Sequence, residues 1–255
     1  MMNIQLIRNA TIRLEYAGLT LLVDPFLADQ GAYPAFPNSV RQDQKNPLVD
    51  LPLTVEEIID GVDAVILTHL HLDHYDEVAK QHLPKDVKVF VQNTEDQALI
   101  ENDGFTNVEL LTDESTFKEV ELIKVKGEHG RGEILKLTGE VCGVILKHDT
   151  EQTLYIAGDT VWYEEVAENI KSHAPSVIVV NAGDNQFHEG GSLVMGKEDV
   201  HAVHQSAPDA SIIAVHMEAV NHWTLSREDL RRFATSKHFS SKLVVPEDGQ
   251  IINTL

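Results

Sequence analysis

Thr68-His69-Leu70-His71-Leu72-Asp73-His74 follows the apolar run Ala64-Val65-Ile66-Leu67 and decides how the chain is read. Three imidazoles and one carboxylate fall within six residues. These donor types suit Zn, Mn or Fe. The apolar run reads as a short buried strand, and a turn at its end can aim the polar side chains inward. Alternate residues on extended backbone point the same way, so His69 and His71 can share one ion. Asp73 and His74 lie past the turn and can address a second ion.

Each ion needs further ligands, and polar residues that abruptly end apolar strands are the natural candidates. Three positions qualify. His129 lies in Lys126-Gly127-Glu128-His129-Gly130-Arg131-Gly132, where glycines let the backbone bend to present the ring. Asp159 follows Leu154-Tyr155-Ile156-Ala157-Gly158, and its carboxylate can bridge two cations. A carboxylate placed after a buried strand is costly without a partner. His216 follows Ile212-Ile213-Ala214-Val215. His222 competes for the same role, and the strand-end position favours His216.

Working outward, residues 4–23 read as a strand meander punctuated by Asn9 and Gly18, ending at Asp24-Pro25. Residues 29–53 carry Pro34, Pro37, Pro47 and Pro52 and read as a functional loop or lid. Thr54 with Glu57, and Thr94 with Gln97, read as capping boxes opening helices. A further helix is expected around Asp76 to His82. Segments 87–91, 108–111, 119–126, 133–137, 143–147 and 153–157 are expected as strands. Beyond Gly158-Asp159-Thr160, strands alternate with helices. Helices are expected from Val161 to Ser172, from Glu198 to Gln205 and after Ser226, and Leu243 to Val245 as a closing strand. Two similar halves within a single domain spanning residues 1–255 fit this order better than separable domains.

Composition narrows the function. With 255 residues, 42% of them hydrophobic, the chain can bury a sizeable core. A formal net charge of -21 repels nucleic acid and anionic membranes, so neither is expected as a partner. Cys142 is the only cysteine, which excludes an intrachain disulfide and a thiolate metal cluster. The first residues lack the apolar stretch of a signal peptide and no run is long enough to span a bilayer, so a cytoplasmic location is expected.

The HxHxDH box, followed by a Gly-flanked His, a Gly-Asp-Thr and a strand-ending His, resembles the metallo-β-lactamase superfamily over nearly the whole chain. Leu22-Val23-Asp24-Pro25, Asn181-Ala182-Gly183-Asp184 and the segment Val215 to His222 are similar to the group around ascorbate-6-phosphate lactonase. The resemblance implies an α/β fold, a four-layer αβ/βα sandwich with two divalent metal ions (Zn or Mn, with Fe an option) at one edge. It implies His69, His71 and His129 around the first ion. Asp73, His74 and His216 would surround the second, with Asp159 bridging. It also implies homo-oligomeric assembly.

The expected activity is a metal-dependent hydrolase in which Asp73 orients the attacking water. His188 and His222 follow candidate active-site segments and are candidates to donate a proton or bind substrate. Asp24 and Asp184 are candidates to orient a ligand, and Trp162 and Tyr163 to wall a pocket. Arg41 and Arg131 are candidates to hold an anionic group on a small-molecule substrate. His82, His148, His173, His201, His204 and His238 read as surface histidines. By resemblance a lactone or ester is the first substrate class, with a small phosphodiester second. An iron-dependent oxidoreductase on the same scaffold is the competing class, weakened by His71 standing where flavin-partnered diiron relatives carry an acid. A binding protein without turnover is the remaining alternative.

Overall fold

The structure is a computed structural model that describes residues 2–254. Two seven-stranded sheets face each other. The first contains β1 (Met2–Arg8), β2 (Thr11–Tyr16), β3 (Leu19–Val23), β4 (Ala64–Ile66), β5 (Lys88–Val91) and β6 (Val108–Leu110) in sequence order. The second runs from β7 (Ser115–Phe117) through β8 (Val120–Gly127), β9 (Val141–Lys147), β10 (Leu154–Ile156), β11 (Val177–Asn181) and β12 (Ser211–Val215) to β13 (Leu243–Val244). A last strand, β14 (Ile251–Thr254), returns to pair antiparallel with β1.

Each sheet is half antiparallel meander and half parallel. Pairing is antiparallel from β14 to β3 and parallel from β3 to β6. The second sheet is antiparallel from β7 to β10 and parallel from β10 to β13. The parallel halves need crossovers, and helices supply most of them. Helices α1 (Val55–Ile59), α2 (Glu77–His82) and α3 (Thr94–Asn102) accompany the first sheet. The short α4 (Leu135–Thr138) lies between β8 and β9, and α5 (Glu164–His173), α6 (Lys197–Ser206) and α7 (Arg227–Ser236) accompany the second.

Strand alternation explains the layers. In β12, Ile213 and Val215 enter the apolar cluster between the sheets, while Ile212 and Ala214 enter the cluster beneath α5, α6 and α7. In the first sheet Leu21, Val23 and Ile66 face the centre, while Leu22 and Val65 pack with Ile58, Ala79 and Ile100 of the helices. Both faces of these strands are buried, which is why they read as continuous apolar runs rather than alternating ones. The central cluster draws side chains from both sheets, including Leu6, Phe90, Leu146 and Val179. Truncating one such residue to Ala typically costs about 2–5 kcal/mol.

Several local expectations are corrected. Residues 133–137 are not a strand. Gly132–Ile134 forms a 3-10 turn that runs into α4, between Gly132 and Gly139, both at positive φ. Their brief apolar alternation is too short to distinguish a strand from one helical turn. The cap of α3 is Asn93, whose side chain accepts the Asp96 N–H, so the Thr94–Gln97 capping box does not form. The helix expected from Val161 starts at Glu164, because the Val161 N–H is drawn to the Glu128 carbonyl. β7 was unforeseen, and β14 rather than Leu243–Val245 is the last strand. The Thr54–Glu57 capping box forms, and Ser226 caps α7 by accepting from Asp229 N–H. Among the described residues, no helix is long and apolar enough to cross a membrane.

Candidate metal centre and substrate pocket

The donor residues sit where chain segments end at one rim of the two sheets. His69, Asp73 and His74 lie in the loop after β4 and are buried, whereas His71 is half-buried. His129 follows β8, Asp159 follows β10 and His216 follows β12. All three are buried. Their local backbones are specialised. Gly158 has φ +69, and a Cβ there would lie 2.4 Å from the Cys142 carbonyl oxygen, so only glycine lets the Asp159 loop approach β9 this closely. His216 itself has φ 59, and its N–H is tied to the Asn9 carbonyl at 2.8 Å.

Three sets of donor atoms lie within 4.8 Å of one another: His69 with His71 and His129, His69 with His74 and Asp159, and Asp73 with His74 and His216. The Asp159 Oδ2 is 3.2 Å from His74 Nε2, 3.4 Å from His129 Nε2 and 3.9 Å from His69 Nε2, while Oδ1 is 3.7 Å from His216 Nε2. The sequence-separated candidates therefore converge, with Asp159 between the two triads.

The outer ring nitrogens of His69, His74 and His129 are occupied. His74 Nδ1–H donates to Asp24 Oδ2 at 2.9 Å, and His129 Nδ1–H to the Leu193 carbonyl at 2.9 Å. His69 Nδ1 meets Thr68 Oγ1 at 3.2 Å, and that hydroxyl donates onward to Asp24 at 2.7 Å. These bonds leave the Nε2 lone pairs facing the centre, as metal-ligating imidazoles require. His69 Nε2 and His74 Nε2 are buried with no hydrogen-bond partner among the described residues. Orphaned imidazole nitrogens surrounding a buried carboxylate fit a divalent cation.

The electrostatics agree. Burial pushes Asp159 up, but His74, His216 and His129 outweigh it and hold the carboxyl well below its usual range. Asp73 behaves alike: burial opposes, and the His216 hydrogen bond with the His74 charge prevails downward. Burial and neighbouring imidazoles push His69 well below its ordinary value, whereas Asp159 and Asp24 carry His74 well above, against burial. Two buried carboxylates held ionised among imidazoles favour positive charge at the centre of the cluster, which a cation would supply.

A cavity of about 170 Å³ opens over the cluster. Phe36, Leu72, Leu137, Phe187 and Leu193 make its apolar wall, with His71, Asp73, His129 and Asp159 on its polar side. His222 also lines it, buried between Phe36, whose ring meets it edge-on at 4.9 Å, and Phe187, stacked at 6.0 Å. Burial lowers the His222 pKa to about 4, so its imidazole is neutral near pH 7. Its Nε2 lies 3.3 Å from the Asn185 amide nitrogen.

Other candidates fall elsewhere. His188 is exposed and lines an adjacent outer cavity, not the pocket over the cluster. Arg41 stacks 3.8 Å over Trp223 and donates to the carbonyls of Asn221 and Trp223. Arg131 pairs with both Asp199 oxygens, at 2.9 and 3.0 Å. Neither lines the pocket, and no Lys or Arg does among the described residues, which corrects the expectation of an arginine anion clamp. Asp184 accepts from Gln186 and does not reach the cluster, whereas Asp24 does. Trp162 and Tyr163 pack against the apolar cluster beneath the second helix layer instead of walling the pocket. His201 and His204 are half-buried against Phe239 at 5.3 and 5.1 Å, not fully solvated.

Sequence reasoning placed Asn9, Asn181 and Asn221 within turns and motif segments but gave no role to these asparagines, which hold the site. Asn181 donates to Asp159 Oδ1 at 2.6 Å, and Asn9 donates to the Asp73 carbonyl at 3.0 Å. Asn221, fully buried, accepts the Phe36 N–H and donates to Ser39 Oγ and the Val40 carbonyl, pinning the 29–53 loop over the pocket. Its only sequence signal is adjacency to His222.

A family model described as "Beta-lactamase superfamily domain" matches residues 20–217. The chain belongs to the metallo-β-lactamase superfamily. Within this superfamily it is 57% identical over 250 residues to the UPF0173 protein YddR of Bacillus subtilis (strain 168), covering 98% of each chain. Two solved structures are also similar at 39% identity, covering 99% of each chain. One, at TM-score 0.95, is described as isothiocyanate hydrolase from Delia radicum gut bacteria. The other, at 0.96, is a possible metal-dependent hydrolase from Veillonella parvula DSM 2008. This member of the superfamily is a metal-dependent hydrolase.

Proposed function

We propose that the protein adds water to a small, neutral electrophilic carbon, with isothiocyanates as the first substrate class and lactones or esters as the second. The observation that carries this reading is a paired donor cluster beneath a small apolar pocket without a cationic side chain. An isothiocyanate presents a compact electrophilic carbon and an uncharged body, which such a pocket accommodates. The solved structure described as an isothiocyanate hydrolase, alike over nearly the whole chain, supports the choice. A lactone ring has the same polarity, so it stands second. A phosphodiester would leave its charge unmatched by the lining residues.

In this reading His69, His71 and His129 would hold one divalent ion. Asp73, His74 and His216 would hold another, with Asp159 lying beside both sets. Zn or Mn, or alternatively Fe, would lower the pKa of a water and polarise the electrophile when bound there. Asp73 accepts a hydrogen bond from the attacking water and orients it. The neutral His222 faces the pocket and donates a hydrogen bond to the nitrogen or oxygen that gains negative charge. Phe36 and Phe187 exclude bulk water and fix the His222 ring. The overall change R–N=C=S + H2O → R–NH2 + O=C=S balances.

The test is turnover by Zn- and Mn-loaded protein of benzyl isothiocyanate, γ-butyrolactone and bis(4-nitrophenyl) phosphate. Amine and carbonyl sulfide release well above the rate of a His71→Ala variant is expected. Turnover confined to the phosphodiester would overturn the reading.

A further inference from the structure

A second cavity, of about 630 Å³, adjoins the pocket over the cluster. Leu137 and Phe187 line both, so the two spaces share one wall. The outer space is framed by three separate chain segments: Pro37 and Asn38 of the 29–53 loop, Ile134 and Leu137 around α4, and the turn at Phe187 to Gly190. These segments are fastened together. The His188 N–H donates to the Asn38 carbonyl at 2.7 Å. Ile134 is locked between two glycines, since a Cβ on Gly130 would lie 2.3 Å from its Cγ2 and one on Gly190 would lie 3.0 Å from its Cδ1. Gly130 directly follows the ligand candidate His129, so the wall of the outer space and the cluster are held by one loop. Leu137 is 79% exposed, so its side chain is open to a group lying in the outer space. Glu133 and Glu189 stand at the rim.

We propose that the outer cavity is a substrate subsite, taking a neutral apolar substituent carried by the electrophile that reacts in the inner pocket. This rests on the reading of the inner pocket given above. The inner volume of about 170 Å³ takes the reacting group and at most about one small ring, so a substrate that extends further must leave it past Leu137 and Phe187. An aryl or alkyl tail covers Leu137 and lies against Ile134 and Pro37. Glu133 is paired with Lys136, so the Glu189 carboxylate is the rim charge that disfavours a carboxylated tail.

The test uses unreactive probes, so it does not depend on turnover. Binding of N-benzylurea and N-methylurea to the metal-loaded protein is measured by calorimetry, for wild type and Leu137→Asn. Leu137 is on the surface, so the variant is expected to fold, which its melting temperature checks. N-benzylurea is expected to bind at least tenfold more tightly than N-methylurea to the wild type. The substitution is expected to erase most of that difference, weakening N-benzylurea about tenfold and N-methylurea less than twofold. A para-carboxylate on the benzyl ring is expected to weaken binding several-fold, and Glu189→Ala to restore part of it. Equal wild-type affinity for the two ureas, or an undiminished preference in Leu137→Asn, would overturn the subsite. Isothiocyanates left intact by a protein that still shows the Leu137-dependent preference would refute the proposed reaction and leave the subsite standing.

Discussion

Asp24 Oδ2 lies 2.9 Å from His74 Nδ1, across fifty residues of chain, and the same carboxylate takes the Thr68 N–H at 2.8 Å and the Thr68 hydroxyl at 2.7 Å. One acid at the end of β3 thus orients the start and the end of the histidine box. Asp24 has φ 47, a conformation that Asn also tolerates. Asp24→Asn is therefore expected to keep the fold while weakening metal affinity about 10–100-fold. Competition with a chromogenic chelator measures it, and wild-type affinity would show that Asp24 is dispensable for orienting the ring.

Asp159 is the contact between the two triads. Asp159→Asn removes the second anionic oxygen and is expected to lower the metal content per chain by about one ion, with turnover falling at least 100-fold. His71→Ala, at a half-buried position, is expected to abolish turnover and leave the circular dichroism spectrum unchanged. Elemental analysis of both variants beside wild type checks the assignment. An unaltered metal content in Asp159→Asn would refute bridging.

The 29–53 loop depends on Asn221. Asn221→Ala would leave the Phe36 N–H and the Val40 carbonyl short of a partner. Each such loss costs about 1–3 kcal/mol. A drop in stability of about that size is expected, with faster hydrogen exchange or proteolysis confined to residues 29–53. Because Phe36 packs on His222, KM is expected to rise as well.

Cys142 reports on opening of the metal rim. It is fully buried on β9, its Sγ lies 3.4 Å from the Thr68 carbonyl, and burial pushes its thiol up to about 12. At pH 8.5 the folded thiol stays protonated and inaccessible, so alkylation by iodoacetamide is expected to follow unfolding alone. Bound metal is expected to slow the alkylation, and a chelator to accelerate it. The unfolded thiol ionises near its ordinary value of 9.0 while the folded one holds its proton to about 12. The unfolded state therefore loses its proton first, and stability from this group falls as pH rises from 9 to 12. Rapid labelling of the folded, metal-loaded protein would contradict the burial.

The second half of the site shows why legibility was uneven. The box at 69–74 was readable because its ligands are neighbours in sequence and follow an apolar run. His129, Asp159 and His216 were readable because each interrupts a strand-like stretch. Asn181 also ends an apolar strand and Asn9 sits at a turn, but an amide there does not point to a metal, and Asn221 left no signal of its own. Asparagine is common in turns, and only the fold shows which amides meet Asp73, Asp159 and the 29–53 loop. The two arginines misled for a related reason: charge is visible in a sequence, but its partner is not. Asp199 and the Asn221 and Trp223 carbonyls claim those guanidiniums before any ligand does.

By itself the sequence determined the order of strands and helices and the kinds of atom available to a metal, because periodicity and donor chemistry are local properties, while the four-layer sandwich came as what the resemblance of the metal box implied. Only the tertiary structure decided which distant side chains stand together, and that the pocket above them is apolar and free of cations. Those outcomes depend on the crossing of segments far apart in the chain, where burial, hydrogen-bond competition and shape select the neighbours.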